Sequence, residues 1–190
     1  MKIKQKILKF LIENKEKSFN LSELAKVLKI DYKLIYLNVK KLEKDNSIQV
    51  EDLKSQKRCS FKDNFTEDVF IVENQRKNDL LNKKEFSAIY DKLRDISKQF
   101  IILLFGSHIK GTATKHSDID LLLISNKEDS KIIENRLGTL PLKIHLTHIT
   151  YESFVNMLKS KEYTVVSEAI KKNISLFGIE DYYRFLENAK

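Results

Sequence analysis

The chain has 190 residues but only 4 glycines, 1 proline and 1 cysteine, which excludes collagen-like, low-complexity and disulfide-scaffold proteins. An all-β sandwich is also excluded, because its many turns need more glycine and proline. Of the formal net charge of +8, residues 1–65 carry +7 (16 Lys or Arg against 9 Asp or Glu) and residues 66–190 carry +1. This asymmetry predicts an N-terminal module that binds a polyanion. The alternative is a lysine-rich surface that is merely solvated.

The expected location is cytoplasmic. A single cysteine, Cys59, cannot form an internal disulfide and suits a reducing compartment. No stretch approaches the ~18 apolar residues that span a membrane. The N-terminus MKIKQKILKF interleaves charges with apolar residues and lacks the apolar core of a signal peptide. No membrane partner is therefore expected.

Two helices are predicted at the start of the chain. Residues 3–12 carry apolar side chains at helical spacing. Asn20 stands three residues before Glu23, the spacing of a capping box, and predicts a second helix over residues 21–28.

A third helix and a hairpin complete the first 65 residues. Asp31 is a candidate N-cap for a helix over residues 32–44, and Asn46 is suited to the left-handed conformation that ends it. Two short strands are predicted at residues 48–53 and 59–61.

The stretch LSELAKVLKIDYKLIYLNVKKLEKDNSIQV resembles the winged helix-turn-helix modules of prokaryotic regulators, over about residues 1–65. The resemblance implies binding of duplex DNA, with the third helix in the major groove. The candidate contacts are the outward residues of that helix and the basic pair at the hairpin tip: Tyr32, Lys33, Tyr36, Lys40, Lys57 and Arg58. The alternative is a winged helix used for protein contacts.

Residues 66–82 are polar apart from one short apolar island and are predicted to be a linker between domains. Apolar residues at helical spacing then predict a scaffold helix over residues 83–98.

A glycine-serine turn followed by paired carboxylates is the chemically informative feature. The apolar run FIILLF at residues 100–105 is typical of a strand buried on both faces, and it ends at Gly106 and Ser107. Asp118 and Asp120 open a second strand on the same face, with α-carbons ~6.8 Å apart from the strand rise. Two carboxylates so close favour a bound cation, and hard oxygen ligands suit Mg²⁺. The side-chain-free Gly106 lets a phosphate approach the backbone.

The stretch GSHIKGTATKHSDIDLLLIS resembles the signature of the polymerase beta-type nucleotidyltransferase superfamily, and most of all its small minimal domains in prokaryotes. The resemblance covers residues 83–190 and implies a mixed sheet flanked by helices, within an α+β chain. It implies transfer of a nucleotidyl group, often AMP from ATP, with two Mg²⁺ ions. Asp118 and Asp120 would hold the metal, and the nucleotide would contact Gly106, Ser107, Lys110, Gly111 and Ser117.

The chain departs from the family pattern at the third carboxylate, which the family usually takes from a following strand. The next predicted strand, residues 142–149, contains no Asp or Glu, and His145 is the candidate for that position. His145 would complete the metal site or act as general base. Alternatively, the site has lost its base and binds nucleotide without turnover.

The remaining elements are assigned packing roles. Helices are predicted at residues 128–137, 151–160, 162–172 and 180–188, and a turn at 176–178. Two functions stay open: a nucleotidyltransferase, and a non-catalytic regulator whose domain senses nucleotide or contacts a partner. Small prokaryotic transferases resembling this chain often belong to toxin–antitoxin pairs, so an antitoxin role, a toxin or other protein acceptor, and a homodimer are all compatible with the sequence.

Overall fold

The computed structural model of the chain describes residues 1–53, 56–160 and 164–189. It divides into two compact units, Met1–Glu73 and Asn74–Lys190. None of the helices in the described ranges is both long enough and apolar enough to cross a bilayer.

The described residues up to 61 form three helices and a three-stranded antiparallel sheet. In chain order the elements are α1 Ile3–Glu13, β1 Phe19–Asn20, α2 Leu21–Leu28, α3 Tyr32–Lys44, β2 Ile48–Leu53 and β3 Gln56–Phe61. The strand order is β1-β3-β2, so β3 is central. Apolar side chains of the three helices are fully buried between them: Ile7, Leu8, Leu11, Leu24, Ile35 and Leu42.

The predicted caps are present. The backbone N–H of Glu23 donates to Asn20 Oδ1 at 2.8 Å, and the Asn20 N–H donates to Glu23 Oε2 at 2.7 Å. Asp31 Oδ1 accepts from Lys33 N at 2.9 Å at the start of α3. Asn46 has φ 59°, as predicted. These short-range signals determine where α2 and α3 begin and where α3 ends.

The hairpin differs from its prediction. β3 begins at Gln56, which pairs with Leu53, so Lys57 and Arg58 lie within the strand and not at a turn. Polar residues are compatible with a strand, because backbone pairing does not depend on the side chain. The rest of the predicted tip, Lys54 and Ser55, lies outside the described residues.

The segment predicted as a linker is helical. α4 spans Glu67–Leu81, and the division between the two units falls inside it. Thr66 Oγ1 accepts from Val69 N at 3.3 Å and caps its first turn, where Glu67 and Asp68 complement the helix dipole. α4 buries Val69, Val72 and Leu80, but so few apolar residues among polar neighbours do not distinguish a helix from a linker in the sequence, which explains the difference.

The second unit contains a four-stranded mixed sheet, as predicted. Its further elements are α5 Lys84–Leu93, β4 Ile101–Phe105, α6 Ser107–Lys110, β5 Ile119–Ile124, α7 Lys127–Leu137, β6 Ile144–Ile149, α8 Tyr151–Ser160, α9 Val165–Lys171, β7 Ile174–Phe177 and α10 Ile179–Asn188. The strand order is β6-β5-β4-β7, with β5 and β6 parallel and β4 antiparallel to both of its neighbours.

The sheet core explains the sidedness of the site. All five residues of β4 are buried. Ile119, Leu121 and Leu123 of β5 join a cluster with side chains of α5 and α7. Because alternate residues of a strand face opposite sides, Asp120 projects from the other face of the sheet.

One C-terminal prediction needs correction. The predicted turn at 176–178 contains the end of β7, which pairs with β4 through Leu103 and Ser175. A four-residue strand carries little periodicity of its own, and its pairing with β4 identifies it. The helix predicted over 162–172 is described as α9, and residues 161–163 lie outside the described residues.

Candidate functional site

The turn after β4 is built around Gly106. Its φ of 72° and ψ of −149° lie in a region that other residues rarely enter. A Cβ at this position would stand 2.1 Å from Asp120 Oδ2. Glycine therefore serves two purposes here: it makes the turn, and it lets the carboxylate of Asp120 lie directly against the backbone.

The two predicted acidic residues occupy the entrance to β5. The strand begins at Ile119, so Asp118 lies just before it, whereas Asp120 is paired with Phe105 of β4. Asp118 is exposed, and the side chain of Asp120 keeps 26% of its surface accessible. Both carboxylates are thus available to solvent.

His145 contacts Asp120. Parallel pairing of β5 with β6 sets the two residues opposite each other, and His145 Nδ1 lies 3.2 Å from Asp120 Oδ1. The carboxylate only accepts, so Nδ1 donates, and in the neutral form of the imidazole Nε2 then carries the lone pair. The imidazole is 65% exposed, so Nε2 is open to an incoming group. Asp120 thus orients the ring of the candidate general base.

The loop between α6 and β5 is organised by Ser117. Its hydroxyl accepts from Thr114 N at 2.8 Å and lies 3.2 Å from Thr114 Oγ1. Gly111 ends α6 with φ 78° and has nothing within 4 Å of a Cβ position. Ser117 thus shapes the loop that precedes Asp118.

Lys110 forms an ion pair that the sequence did not predict. Its Nζ contacts Glu168 Oε1 of α9, with side-chain exposures of 48% and 30%. The two residues are 58 positions apart. No sequence signal marks Glu168, because neither its own neighbours nor the glycine-serine motif indicates that α9 packs beside α6.

The other histidines have separate surroundings. His108 packs edge-on against Phe86 at 5.5 Å, and His148 Nε2 lies 3.2 Å from the carbonyl oxygen of Ser125. His116 is exposed in the loop. Of the four imidazoles in the sequence, His145 is the one whose hydrogen bond involves a predicted site residue.

The donor set at the turn consists of the Asp118 and Asp120 carboxylates. The described ranges contain no cluster of three or more His, Cys, Asp or Glu side chains arranged to hold a metal ion. Carboxylate oxygens are the ligands that Mg²⁺ prefers, and this ion is commonly bound by one or two carboxylates together with substrate phosphates. Two accessible carboxylates therefore fit an ion shared with a bound triphosphate.

The predicted DNA-contacting residues of the first unit fall into two groups. Tyr32, Tyr36 and Lys57 line a cavity of about 560 Å³ beside the start of α2. Lys33 and Lys40 are exposed on α3. Lys40 Nζ lies 4.8 Å from the centre of the Tyr36 ring, and its hydrogen bond and charge lower the pKa of the Tyr36 hydroxyl.

Arg58 is engaged within its own unit. Its Nε donates to Ser18 Oγ at 2.9 Å, another guanidinium nitrogen donates to the Ser18 carbonyl, and Glu23 lies 3.8 Å away. Its side chain is about three-quarters buried. Arg58 therefore connects β3 to the start of α2.

Comparison with known proteins identifies the family of the second unit. A probable protein adenylyltransferase, MntA, of Haemophilus influenzae (strain ATCC 51907 / DSM 11121 / KW20 / Rd) is 28% identical over 99 residues, covering 48% of this chain and 86% of that protein. A crystal structure of a toxin-antitoxin with AMP-PNP is 23% identical with a TM-score of 0.38, covering 54% of this chain and 82% of that one. Residues 84–182 match the family described as Polymerase beta, Nucleotidyltransferase. The chain therefore belongs to the polymerase beta nucleotidyltransferase family.

Proposed function

We propose that the chain is a Mg²⁺-dependent nucleotidyltransferase that moves a nucleoside monophosphate, AMP in the first instance, from a nucleoside triphosphate to an acceptor. The carrying observation is the contact of Asp120 with both Gly106 and His145. It joins the expected phosphate turn, a metal-binding carboxylate and a proton acceptor in one site. A strand-end carboxylate with only a solvated role would not need a glycine against it.

The triphosphate is assigned to the turn after β4. Gly106 makes the turn and brings Asp120 against it, Ser107 supplies a hydroxyl, and Lys110 supplies a positive charge within one turn of them. Ser117 and Gly111 shape the loop that brings Asp118 to the same edge of the sheet.

His145 accepts the proton of the acceptor. Its Nδ1–H is held by Asp120, so Nε2 takes the proton while the acceptor atom attacks the α-phosphorus. The bond from that phosphorus to the bridging oxygen breaks, and pyrophosphate leaves. This assignment supports the catalytic proposal without a third carboxylate, whereas a His145 distant from Asp120 would have favoured binding alone.

Asp118 and Asp120 are the proposed Mg²⁺ ligands, with phosphate oxygens completing the coordination. When bound, the metal neutralises charge on the reacting phosphates and orients them for in-line displacement. His145 holds the same carboxylate through Oδ1 and limits the orientations that Asp120 can adopt.

The acceptor is proposed to be a protein hydroxyl. The support is the similarity to the H. influenzae relative, a probable protein adenylyltransferase. A toxin paired with this chain as antitoxin is one such acceptor.

Labelling with α-labelled triphosphates and Mg²⁺, with and without cell extract, tests the reaction. ATP is expected to label an acceptor more strongly than GTP, CTP or UTP, and Asp118→Asn or Asp120→Asn should abolish the label. Asp91→Asn, on the exposed surface of α5, is the matched control and should label normally. Labelling that survives both site substitutions would show that these carboxylates do not carry the chemistry.

For the first unit we propose a winged helix-turn-helix that binds duplex DNA. The support is its net charge of +7 over residues 1–65 and the exposure of Tyr32, Lys33 and Lys40 on one helix. Each lysine that neutralises a phosphate makes affinity more sensitive to salt. Duplex affinity should fall steeply with salt, and Lys33→Ala with Lys40→Ala should lower the slope by about two phosphate contacts. Absence of duplex binding at low salt would favour a protein-contact role.

The second candidate function is a non-catalytic regulator or antitoxin. In that case the transferase domain binds nucleotide or a partner and nothing is labelled, while duplex binding persists. Nucleotide binding by the unlabelled protein, with no transfer to any acceptor in extract, is the outcome that would select it.

A further inference from the structure

The ion pair between Lys110 and Glu168 occupies the lysine that the proposed function assigns to phosphate. Lys110 closes the short helix that starts at the phosphate turn, and its backbone N–H donates to the Gly106 carbonyl at 3.0 Å. The backbone position of Lys110 relative to Gly106 is therefore fixed. Its long side chain can direct the ammonium either towards the phosphate turn or towards Glu168. In this structure the ammonium contacts the Glu168 carboxylate.

Glu168 is held in place by its helix. Thr164 caps the start of α9: its hydroxyl accepts from Ser167 N at 3.2 Å, while Ser167 Oγ accepts from Thr164 N at 2.9 Å. Val166 and Ala169 on either side of Glu168 are buried, which anchors the helix against the sheet. The carboxylate is thus presented to Lys110 by a packed element.

We propose that Glu168 competes with the nucleotide triphosphate for Lys110, so that α9 lowers nucleotide affinity until the phosphates displace its carboxylate. This inference rests on the proposed triphosphate site and adds a positioning residue to it. A triphosphate carries several negative charges against one on the carboxylate, so the exchange favours the nucleotide once it is bound. Half-exposed ion pairs are weak, so the expected competition amounts to about two- to fivefold in affinity.

The direction of the effect separates competition from a purely structural ion pair. If the ion pair between Lys110 and Glu168 only holds α9 in place, replacing the carboxylate with a neutral side chain lowers the stability of the fold. The affinity for nucleotide is then unchanged or weaker. If Glu168 competes for Lys110, neutralising it strengthens binding of the phosphates themselves, and the gain depends on Lys110.

The experiment measures dissociation constants of the full chain by calorimetry for ATP with Mg²⁺ and for inorganic tripolyphosphate. The variants are Glu168→Gln, Lys110→Ala and both together. Glu168→Gln should tighten both ligands by about two- to fivefold, Lys110→Ala should weaken both, and the double variant should match Lys110→Ala. Glu168→Asp, which keeps the charge, should stay closer to wild type than Glu168→Gln.

The control is Glu180→Gln, which removes the carboxylate of an ion pair with Arg184 on α10 and should leave both constants unchanged. Thermal unfolding of every variant tests whether the fold is intact. Unchanged or weaker binding by Glu168→Gln overturns the inference, and so does equal tightening in the Lys110→Ala background. If wild type binds ATP and only the Glu168 effect is missing, the proposed function stands. If neither wild type nor Glu168→Gln binds either ligand, both proposals fail.

Discussion

At the scale of single residues, the two glycines that flank α6, Gly106 and Gly111, are not equivalent. Both have positive φ, so any substitution strains the backbone. A Cβ on Gly106 would also collide with the Asp120 carboxylate, whereas a Cβ on Gly111 would meet nothing within 4 Å. Comparing substitutions at the two glycines therefore separates the effect of backbone strain from the effect of losing the contact with Asp120.

Gly106→Ala is expected to lower stability by more than Gly111→Ala, which should cost about 1 kcal/mol from strain alone. Labelling should be lost with Gly106→Ala, because Asp120 must move, and reduced much less with Gly111→Ala, where the substitution only strains the loop before Asp118. Urea unfolding and α-labelled ATP measure the two effects. Equal loss of stability and activity in both variants would contradict the proposed Asp120 contact.

Cys59 provides a residue-scale test of the first unit. Its thiol is fully buried, donates to the Phe19 carbonyl at 3.2 Å, and burial raises its pKa to about 11. The folded thiol thus stays protonated at pH 8, where the reactive thiolate is scarce. We expect slow reaction with a disulfide reagent in the native chain and fast reaction in urea.

The same shift has a defined effect on stability. Because the folded pKa is raised, the stabilising contribution is complete below the pKa of the unfolded thiol, and it is lost as pH rises from there towards about 11.

The sequence contains one cysteine, so the signal from the disulfide reagent reports on Cys59 alone. Rapid native labelling at pH 8 would contradict a buried Cys59.

At the scale of elements, the parallel pairing of β5 and β6 creates the candidate catalytic pair. Pairing in this register sets Asp120 beside His145 and Leu123 beside His148. The β6 sequence alone shows two histidines three residues apart. The sequence already favours His145 for the site, and the register sets this histidine beside Asp120.

His145→Ala should lower the labelling rate by at least ~100-fold, the usual loss of a general base, with the affinity for ATP nearly unchanged. His148→Ala removes a contact with the Ser125 carbonyl oxygen and should leave the rate within about twofold of wild type, because surface changes away from a site have small effects. Pre-steady-state labelling with calorimetry of ATP separates rate from binding. A normal rate in His145→Ala would favour the binding-only alternative.

At the scale of the whole molecule, the proposed activities belong to separate units. The residues proposed for duplex binding lie in Met1–Glu73, and those proposed for transfer lie in Asn74–Lys190. The positive charge is concentrated in the first 65 residues, so nonspecific attraction to polyanions belongs to that unit.

The two activities are therefore expected to be lost independently. Asp118→Asn with Asp120→Asn should leave duplex affinity and its salt slope unchanged, and Lys33→Ala with Lys40→Ala should leave labelling unchanged. Gel-shift titration and labelling of the same preparations test both. A transferase variant that changes duplex affinity would show that the proposed DNA site and transfer site are coupled.

Much of the fold was predictable because its signals are short-range. The caps at Asn20 and Asp31, the left-handed Asn46 and the buried strand β4 are each marked by residues within one helical turn or one strand. The motif around Gly106 and Asp120 carried the resemblance to the nucleotidyltransferase family, and that resemblance implied the mixed sheet; both are confirmed.

The helical character of residues 67–81 and the strand β7 were not predictable in the same way. The mostly polar sequence of residues 67–81 suits a linker and a helix equally. The helix α4 is stabilised by packing, because one of its faces, including Val69, Val72 and Leu80, is buried. β7 exists because its four residues pair with β4.

The amino-acid sequence was enough to predict most of the local elements, the charge asymmetry, and the turn and carboxylates of the candidate site. Tertiary structure decided which side chains meet: His145 with Asp120 across 25 positions, and Lys110 with Glu168 across 58. The reason is that strand order, register and helix packing bring residues distant in sequence together. The sequence around each of these residues does not encode such contacts.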